Sequence, residues 1–143
     1  MKTNLQTAIE LLKQKEYTCV LCKDDSIFTS TERGVKPLLN WFDNGLEFKD
    51  FSAADKVVGK ATAFLYVLLG VKEVYAPVMS ESAVSVLEAN GVLAQYDTLA
   101  KSIINRMGTG ICPMESAVMD ISEPKEAVAA IKIRFTELKA GNK

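Results

Sequence analysis

Histidine is absent from this sequence, and cysteine occurs only three times. The absence of histidine removes the commonest metal ligand and the side chain that most often acts as a general base near neutral pH. Three cysteines form an odd set, which is typical of a reducing compartment rather than of a disulfide framework. A histidine-based catalytic triad and a histidine-containing zinc site are therefore both excluded.

The sequence also lacks long apolar runs and an excess of charge of one sign. Its longest apolar stretch, residues 61–71, is far shorter than the roughly 20 residues that a membrane span requires. With 17 basic and 18 acidic residues the formal net charge is −1, which gives no overall attraction for a polyanion. The first residues lack the apolar core of a signal peptide. We therefore expect a cytoplasmic protein that binds neither a membrane nor a nucleic acid polymer.

The 143 residues, 48% of them hydrophobic, suit a single domain spanning 1–143. Apolar periodicity, caps and turn residues predict an α/β fold with helices covering a mixed sheet of four or five strands. Residues 99–106 fit either a helix or a strand. The other predicted elements are helix 4–15, strands 17–22 and 26–30, helices 35–44 and 52–69, strand 71–78, helix 81–89, strand 92–96, helix 113–119 and a C-terminal helix.

Two helix starts are predicted from capping residues. Ser52 followed by Asp55 has the spacing of a capping box, and it opens the long apolar helix that should lie at the centre of the fold. Ser122 stands where it would cap the C-terminal helix, whose inner face would carry residues from Val128 to Leu138.

Three segments resemble an uncharacterised prokaryotic family, a domain of unknown function: Gly34–Leu39, Asp55–Ala61 and Ile104–Glu115. The resemblance implies a cytidine-deaminase-like, three-layer fold but no established activity. Zinc deaminases carry His-x-Glu or Cys-x-Glu on one helix and Pro-Cys-x-x-Cys on the next. The corresponding segments here, 52–55 and 77–82, offer no zinc ligands, so we predict neither a metal site nor another cofactor.

The segment from Asn105 to Gly110 is the first candidate site. Gly108 and Gly110, with Thr109 between them, allow close backbone approach just before the helix predicted at residue 113, and Arg106 can clamp an anion. The alternative is a tight turn with an exposed arginine. Asn105 belongs to the same segment and is assigned to the same ligand-binding group.

A second candidate cluster lies at the start of the predicted central helix. Asp55 and Gly59 are four residues apart, as are Lys56 and Lys60, so the four residues would form two adjacent polar stripes. They line a ligand site if the fold is deaminase-like. Helix capping by Asp55 and solvent exposure of both lysines is the alternative.

Cys112 is the best candidate nucleophile, because a helix N-terminus makes a thiolate more available. Without histidine, Glu115, Asp55 or a lysine would have to move its proton. A buried, inert cysteine is the alternative. Cys19 and Cys22 have the spacing of a redox or zinc pair, but in a strand the two side chains point to opposite faces.

Three functions remain open from the sequence. The leading hypothesis is a domain that binds a small anionic metabolite such as a nucleotide. The first alternative is a cysteine-dependent enzyme in which Cys112 is the nucleophile, and the second is a non-catalytic assembly subunit. A homo-oligomer is compatible with each of them.

Overall fold

A mixed β-sheet forms the middle layer of the protein, and the computed structural model describes residues 2–32, 34–103 and 112–141. Within this part of the chain the sheet has six strands and is accompanied by six helices. The strands are β1 (Cys19–Lys23), β2 (Ser26–Ser30), β3 (Ser52–Asp55), β4 (Val57–Val58), β5 (Glu73–Ser80) and β6 (Leu93–Ala100). The helices are α1 (Asn4–Gln14), α2 (Lys36–Asp43), α3 (Lys60–Leu69), α4 (Glu81–Ala89), α5 (Pro113–Ala117) and α6 (Pro124–Gly141).

Strand β5 is central to the sheet because three strands pair with it in parallel. Strands β3 and β4 lie end to end along one side of β5, in one continuous register that is interrupted at Lys56. Strand β6 pairs with β5 through a βαβ connection that contains α4. On the far side of β3, the antiparallel hairpin β1–β2 completes the sheet, with Asp24 in its turn at φ 53°.

The two faces of the sheet are covered by different helices. Val20 and Cys22 of β1 contact the apolar side of α1, whereas Leu21 between them belongs to the cluster around α3. This alternation is the period-two pattern of a strand that is buried on both faces. Helix α3 is buried on nearly all sides and ends at Gly70, which adopts the left-handed conformation at φ 89°.

Many of the predicted elements are confirmed, including the capping box of α1, in which Thr3 and Gln6 exchange hydrogen bonds. The βαβ unit and the hairpin are confirmed as well. Residues 99 and 100, which were ambiguous, complete β6, and Lys101–Ile103 are irregular. The remainder of that ambiguous range lies outside the described residues.

The predicted start of the central helix is wrong. Ser52–Asp55 is strand β3, inserted between β1 and β5, and the helix begins at Lys60 after Gly59. Pairing with two neighbouring strands satisfies the backbone of this buried segment, which outweighs the local capping pattern. Asp55 is therefore not a helix-capping residue.

The predicted start of the C-terminal helix is also wrong, by one residue. Helix α6 begins at Pro124, whose fixed φ suits the first position of a helix, so Ser122 precedes the cap. On its inner face Val128 and Ile131 are buried and Phe135 packs partly against the core, as predicted. Leu138 is 37% exposed, because the helix extends beyond the body it packs on.

Candidate functional site

A cavity of about 680 Å³ opens where β3 gives way to β4, beside the first turn of α3. Ligand cavities for drug-sized molecules range over roughly 300–1,000 Å³. Ile103 and Cys112 both line it, and the backbone N–H of Cys112 donates to the carbonyl of Ile103 at 2.9 Å. Ile103 and Cys112, the described residues on either side of segment 104–111, are thus held together at the cavity.

Asp55 is the last residue of β3, and it lines the cavity. The Tyr66 hydroxyl donates to its Oδ2 at 2.7 Å, and the nearby backbone N–H groups of Lys56 and Val57 also favour the charged form of this carboxyl. Burial nevertheless raises the pKa of Asp55 from 3.8 to about 7, because removal from water disfavours the charged form more than these donors favour it. A group with this pKa exchanges protons near neutral pH.

Cys19 and Tyr66 complete a polar cluster with Asp55 inside an otherwise apolar region. Cys19 also lines the cavity, and burial, reinforced by the Asp55 charge, raises the pKa of its thiol. The pKa of the Tyr66 hydroxyl is raised well above its usual value by burial and by both neighbours. Cys19 and Tyr66 therefore remain neutral near pH 7, and Asp55 is the member of the cluster that titrates there.

Glu115 takes a position that its place in α5 did not predict. Its carboxylate accepts hydrogen bonds from the backbone N–H groups of Lys60, at 2.7 Å, and Ala61, at 2.9 Å. Gly59, the residue before the helix, has no side chain to cap it, so a glutamate 55 positions after Lys60 provides the cap. Glu115 is 9% exposed, and its carboxylate also complements the partial positive charge of this helix end.

The role of Gly59 follows from this contact. A Cβ atom at residue 59 would lie only 2.5 Å from the Cδ atom and 2.7 Å from Oε2 of Glu115. Its φ of −101° is open to every residue type, so glycine is required here by space and not by backbone conformation. Gly59 lines the cavity, and its function is to admit the Glu115 carboxylate.

The two lysines of the predicted polar stripes have different surroundings. Lys56 lines the cavity, whereas Lys60 is not among its lining residues and donates from Nζ to the carbonyl of Met119 at 2.9 Å. The stripes do not form, because Asp55 and Lys56 precede the helix instead of lying on it. Glu16 and Glu32 also line the cavity, so acidic groups outnumber the one basic group in its described lining.

Cys112 is half-buried, lines the cavity and stands at the N-cap of α5, as predicted from the sequence. Helix α5 has only five residues and proline in its first turn, so it exposes few N–H groups and has a small dipole. The predicted ligand-binding residues Asn105, Arg106, Gly108, Thr109 and Gly110 all lie outside the described residues.

Cys19 and Cys22 are both free and buried in β1, and their side chains diverge as predicted: Cys22 lies in the α1 cluster and Cys19 reaches the cavity. Across the described ranges no group of three or more potential metal-ligating side chains is found. No helix in the described part is both long enough and apolar enough to cross a lipid bilayer.

Sequence reasoning missed Tyr66. It lies in the middle of the apolar run of α3, where a tyrosine is easily taken for a core side chain, yet its hydroxyl is the direct partner of Asp55. The available signal was that a buried tyrosine hydroxyl needs a hydrogen-bonding partner. The identity of that partner could not be read from the sequence.

The described part of the chain thus defines an α/β protein with one mixed sheet and a cavity that carries a titratable carboxyl. Residues 7–135 match DUF1893, a family described as a domain of unknown function, and the chain belongs to this family. It is similar to the crystal structure of the DUF1893 family protein TM1506 from Thermotoga maritima. The two share 25% identity with a TM-score of 0.83, and the match covers 96% of this chain and 92% of that one. The chain has no significant match among curated proteins.

Proposed function

We propose that this chain is a cytoplasmic small-molecule-binding domain with a cytidine-deaminase-like fold that works without zinc. The carrying observation is that Asp55, with its pKa near 7, lines a cavity of about 680 Å³ whose lining is otherwise mixed polar and apolar. A partly desolvated carboxyl is a strong acceptor for ligand N–H and O–H groups. Such a group selects ligands that donate hydrogen bonds.

A nucleoside or nucleotide is the ligand class that fits this lining best. Its base can donate N–H groups to Asp55, and its sugar hydroxyls can contact the threonine side chains of the lining, among them Thr62. A phosphate would require basic partners. Lys56 is one, and the sequence offers Arg106, outside the described residues, as another. The anionic part of the hypothesis therefore depends on Arg106.

A thermal-shift screen with matched nucleosides, nucleotides and simple organic acids tests the proposal. We expect a nucleoside or nucleotide to raise the melting temperature, and Asp55→Asn to weaken the best hit by about tenfold or more, because a charge-assisted bond contributes roughly 1.5–3 kcal/mol. Lys56→Ala should weaken the nucleotide more than the nucleoside. Lys60→Ala is the matched control and should leave both affinities unchanged, since Lys60 is engaged with Met119. Affinities that are equal in the native protein and Asp55→Asn would refute the proposal.

A cysteine-dependent enzyme is the second candidate, favoured by the presence of Cys112 and Asp55 in one cavity. Ionised Asp55 would accept the thiol proton while the Cys112 sulfur attacks an acyl carbon. The thioester bond forms, the bond to the leaving group breaks, and the proton passes to the leaving group; water then releases the acid. Mass spectrometry with activated esters tests this mechanism: an acyl adduct on Cys112 that forms and turns over in the native protein, and forms much more slowly in Asp55→Asn, would support it. A binding protein would retain its affinity in Cys112→Ser.

A further inference from the structure

Strand β6 forms one edge of the sheet, and its eight residues are mostly exposed. It pairs with β5 on one side, and no other described strand pairs with it. Three large apolar side chains along it are in contact with solvent: Leu93 is 71% exposed, Leu99 44% and Tyr96 38%. A free strand edge offers a row of backbone donors and acceptors to a further strand.

The devices that protect such an edge in monomeric proteins are missing from β6. Residues 93–100 contain no lysine, arginine, proline or glycine, and the register with β5 shows no bulge that would twist the strand away. The only charged residue is Asp97, whose carboxylate accepts a hydrogen bond from the Tyr75 hydroxyl at 2.5 Å. The edge is therefore suited to pairing.

The sequence of β6 is self-complementary about Tyr96. In an antiparallel pair of two such strands with Tyr96 opposite Tyr96, Leu93 faces Leu99 of the second copy and Ala94 faces Thr98. Gln95 then faces Asp97, an amide beside a carboxylate. Cross-strand pairs of this kind, apolar with apolar and donor with acceptor, are the ones that stabilise a ladder.

We propose that two copies of this chain associate by antiparallel pairing of β6 with β6 about a two-fold axis at Tyr96. In an antiparallel ladder, hydrogen-bonded pairs alternate with non-hydrogen-bonded pairs, so a two-fold axis can pass only through the centre of a pair. Two-fold symmetry therefore places one residue directly opposite its own copy. An axis at Asp97 would place two carboxylates opposite each other, and one at Gln95 would leave Leu99 beyond the end of the other strand. The register about Tyr96 is the one that the charges and apolar side chains favour.

The expected dimer is weak because the pairing involves only about seven residues of each copy, below the interface area of a typical stable complex. Association should therefore depend on protein concentration in the micromolar range. The sheets of the two copies would form one continuous sheet, in which the β2 strand of each copy is a free edge.

Sedimentation velocity of the full chain from about 1 to about 200 µM tests the dimer, and two substitutions at one exposed position test its register. In Gln95→Lys, the lysine of each copy would lie opposite Asp97 of the other copy. The dimer would then contain two pairs of opposite charge and should be tighter. Gln95→Glu would place two pairs of like charges opposite each other and should weaken it, each change being about two- to thirtyfold in Kd. Ser26→Lys and Ser26→Glu, on the other edge strand, are the matched controls and should have no effect.

Opposite shifts for the two Gln95 variants support the proposal, and partial unfolding cannot produce them because it would move both variants in the same direction. A chain that stays monomeric over the whole concentration range overturns the proposal. So does an equal response of both Gln95 variants, or a dimer that responds only to the Ser26 variants.

Discussion

The Glu115 carboxylate lies in the space that a Cβ atom of residue 59 would need, with Oε2 2.7 Å from that position. The carboxylate can reach the N–H groups of Lys60 and Ala61 because residue 59 is glycine. The two residues thus form one structural unit, although they are separated by more than a third of the chain.

Gly59→Ala should therefore destabilise the protein, by about 2–3 kcal/mol, because the added methyl group displaces a carboxylate that makes two charge-assisted hydrogen bonds. At an unconstrained position with this φ the same change would be neutral or stabilising by about 0.4–1 kcal/mol. Denaturant unfolding monitored by circular dichroism measures whether Gly59→Ala lowers or raises the free energy of unfolding.

A double-mutant cycle provides the control for this prediction. Glu115→Ala alone should cost about 1–3 kcal/mol, since it leaves two N–H groups without their acceptor. Adding Gly59→Ala to Glu115→Ala should cost almost nothing further, because the clash has been removed. Glu126→Ala, in the first turn of α6, is the comparison variant. Additive effects of the two substitutions would contradict the contact.

The stability of the protein should depend on the protonation of Asp55. Since the folded-state pKa is about 7 and the usual value is 3.8, the folded chain holds a proton between about pH 4 and pH 7 that the unfolded chain has released. The free energy of unfolding should fall as pH rises through this window, by at most about 1.4 kcal/mol per pH unit from this group.

Asp55→Asn should remove that part of the pH dependence, so that its stability relative to the native protein improves as pH rises toward 7. Thermal unfolding at several pH values measures this, with Asp25→Asn in the exposed hairpin turn as control. The carboxyl carbon shift of Asp55 followed by NMR gives an independent reading. A midpoint near 4 would show that the carboxyl is solvated.

Tyr66→Phe should raise the pKa of Asp55 further. The Tyr66 hydroxyl donates to the carboxylate and so favours its charged form. Without this hydroxyl, burial raises the pKa of Asp55 with less opposition. The NMR titration of Asp55 in this variant should show a higher midpoint than in the native protein. Tyr17→Phe, away from the carboxyl, is the control, and an unchanged midpoint in Tyr66→Phe would contradict the assigned hydrogen bond.

The three thiols should differ in reactivity. Cys112 is half-buried at the cavity, whereas Cys19 and Cys22 are buried and burial raises the pKa of both. Limited alkylation of the native protein, read out by peptide mass spectrometry, should label Cys112 first. A ligand in the cavity should slow that labelling. Labelling of Cys19 before Cys112 would contradict the burial of Cys19.

The sequence predicted the elements whose signals are local. The capping box at Thr3 and the left-handed glycine at residue 70 each specify a helix end through neighbouring residues, and both are confirmed. The pattern at Ser52 and Asp55 is equally local, but here strand pairing on both sides prevails. Helix α3 instead begins at Lys60 with a cap from Glu115, which no local pattern contains.

The candidate site was predicted only in part, because its residues are brought together by contacts between distant segments. Asp55, Lys56, Gly59, Cys112 and Glu115 do line one cavity, although the helical spacing from which the first three were chosen does not exist. The grouping comes from the sheet and the α3 terminus, which bring distant segments together. Tyr66 could not be assigned its partner without the packing of α3 against β3.

The capping of α3 by Glu115 has a consequence for folding. The first turn of the central helix is completed by a side chain 55 positions later in the chain. During synthesis, the N–H groups of Lys60 and Ala61 therefore have no acceptor until the C-terminal third of the chain has emerged and docked. The sheet and the remainder of α3 can form without it. Hydrogen exchange of the Lys60 and Ala61 N–H groups therefore measures how often α5, which carries Glu115, detaches from an otherwise folded protein.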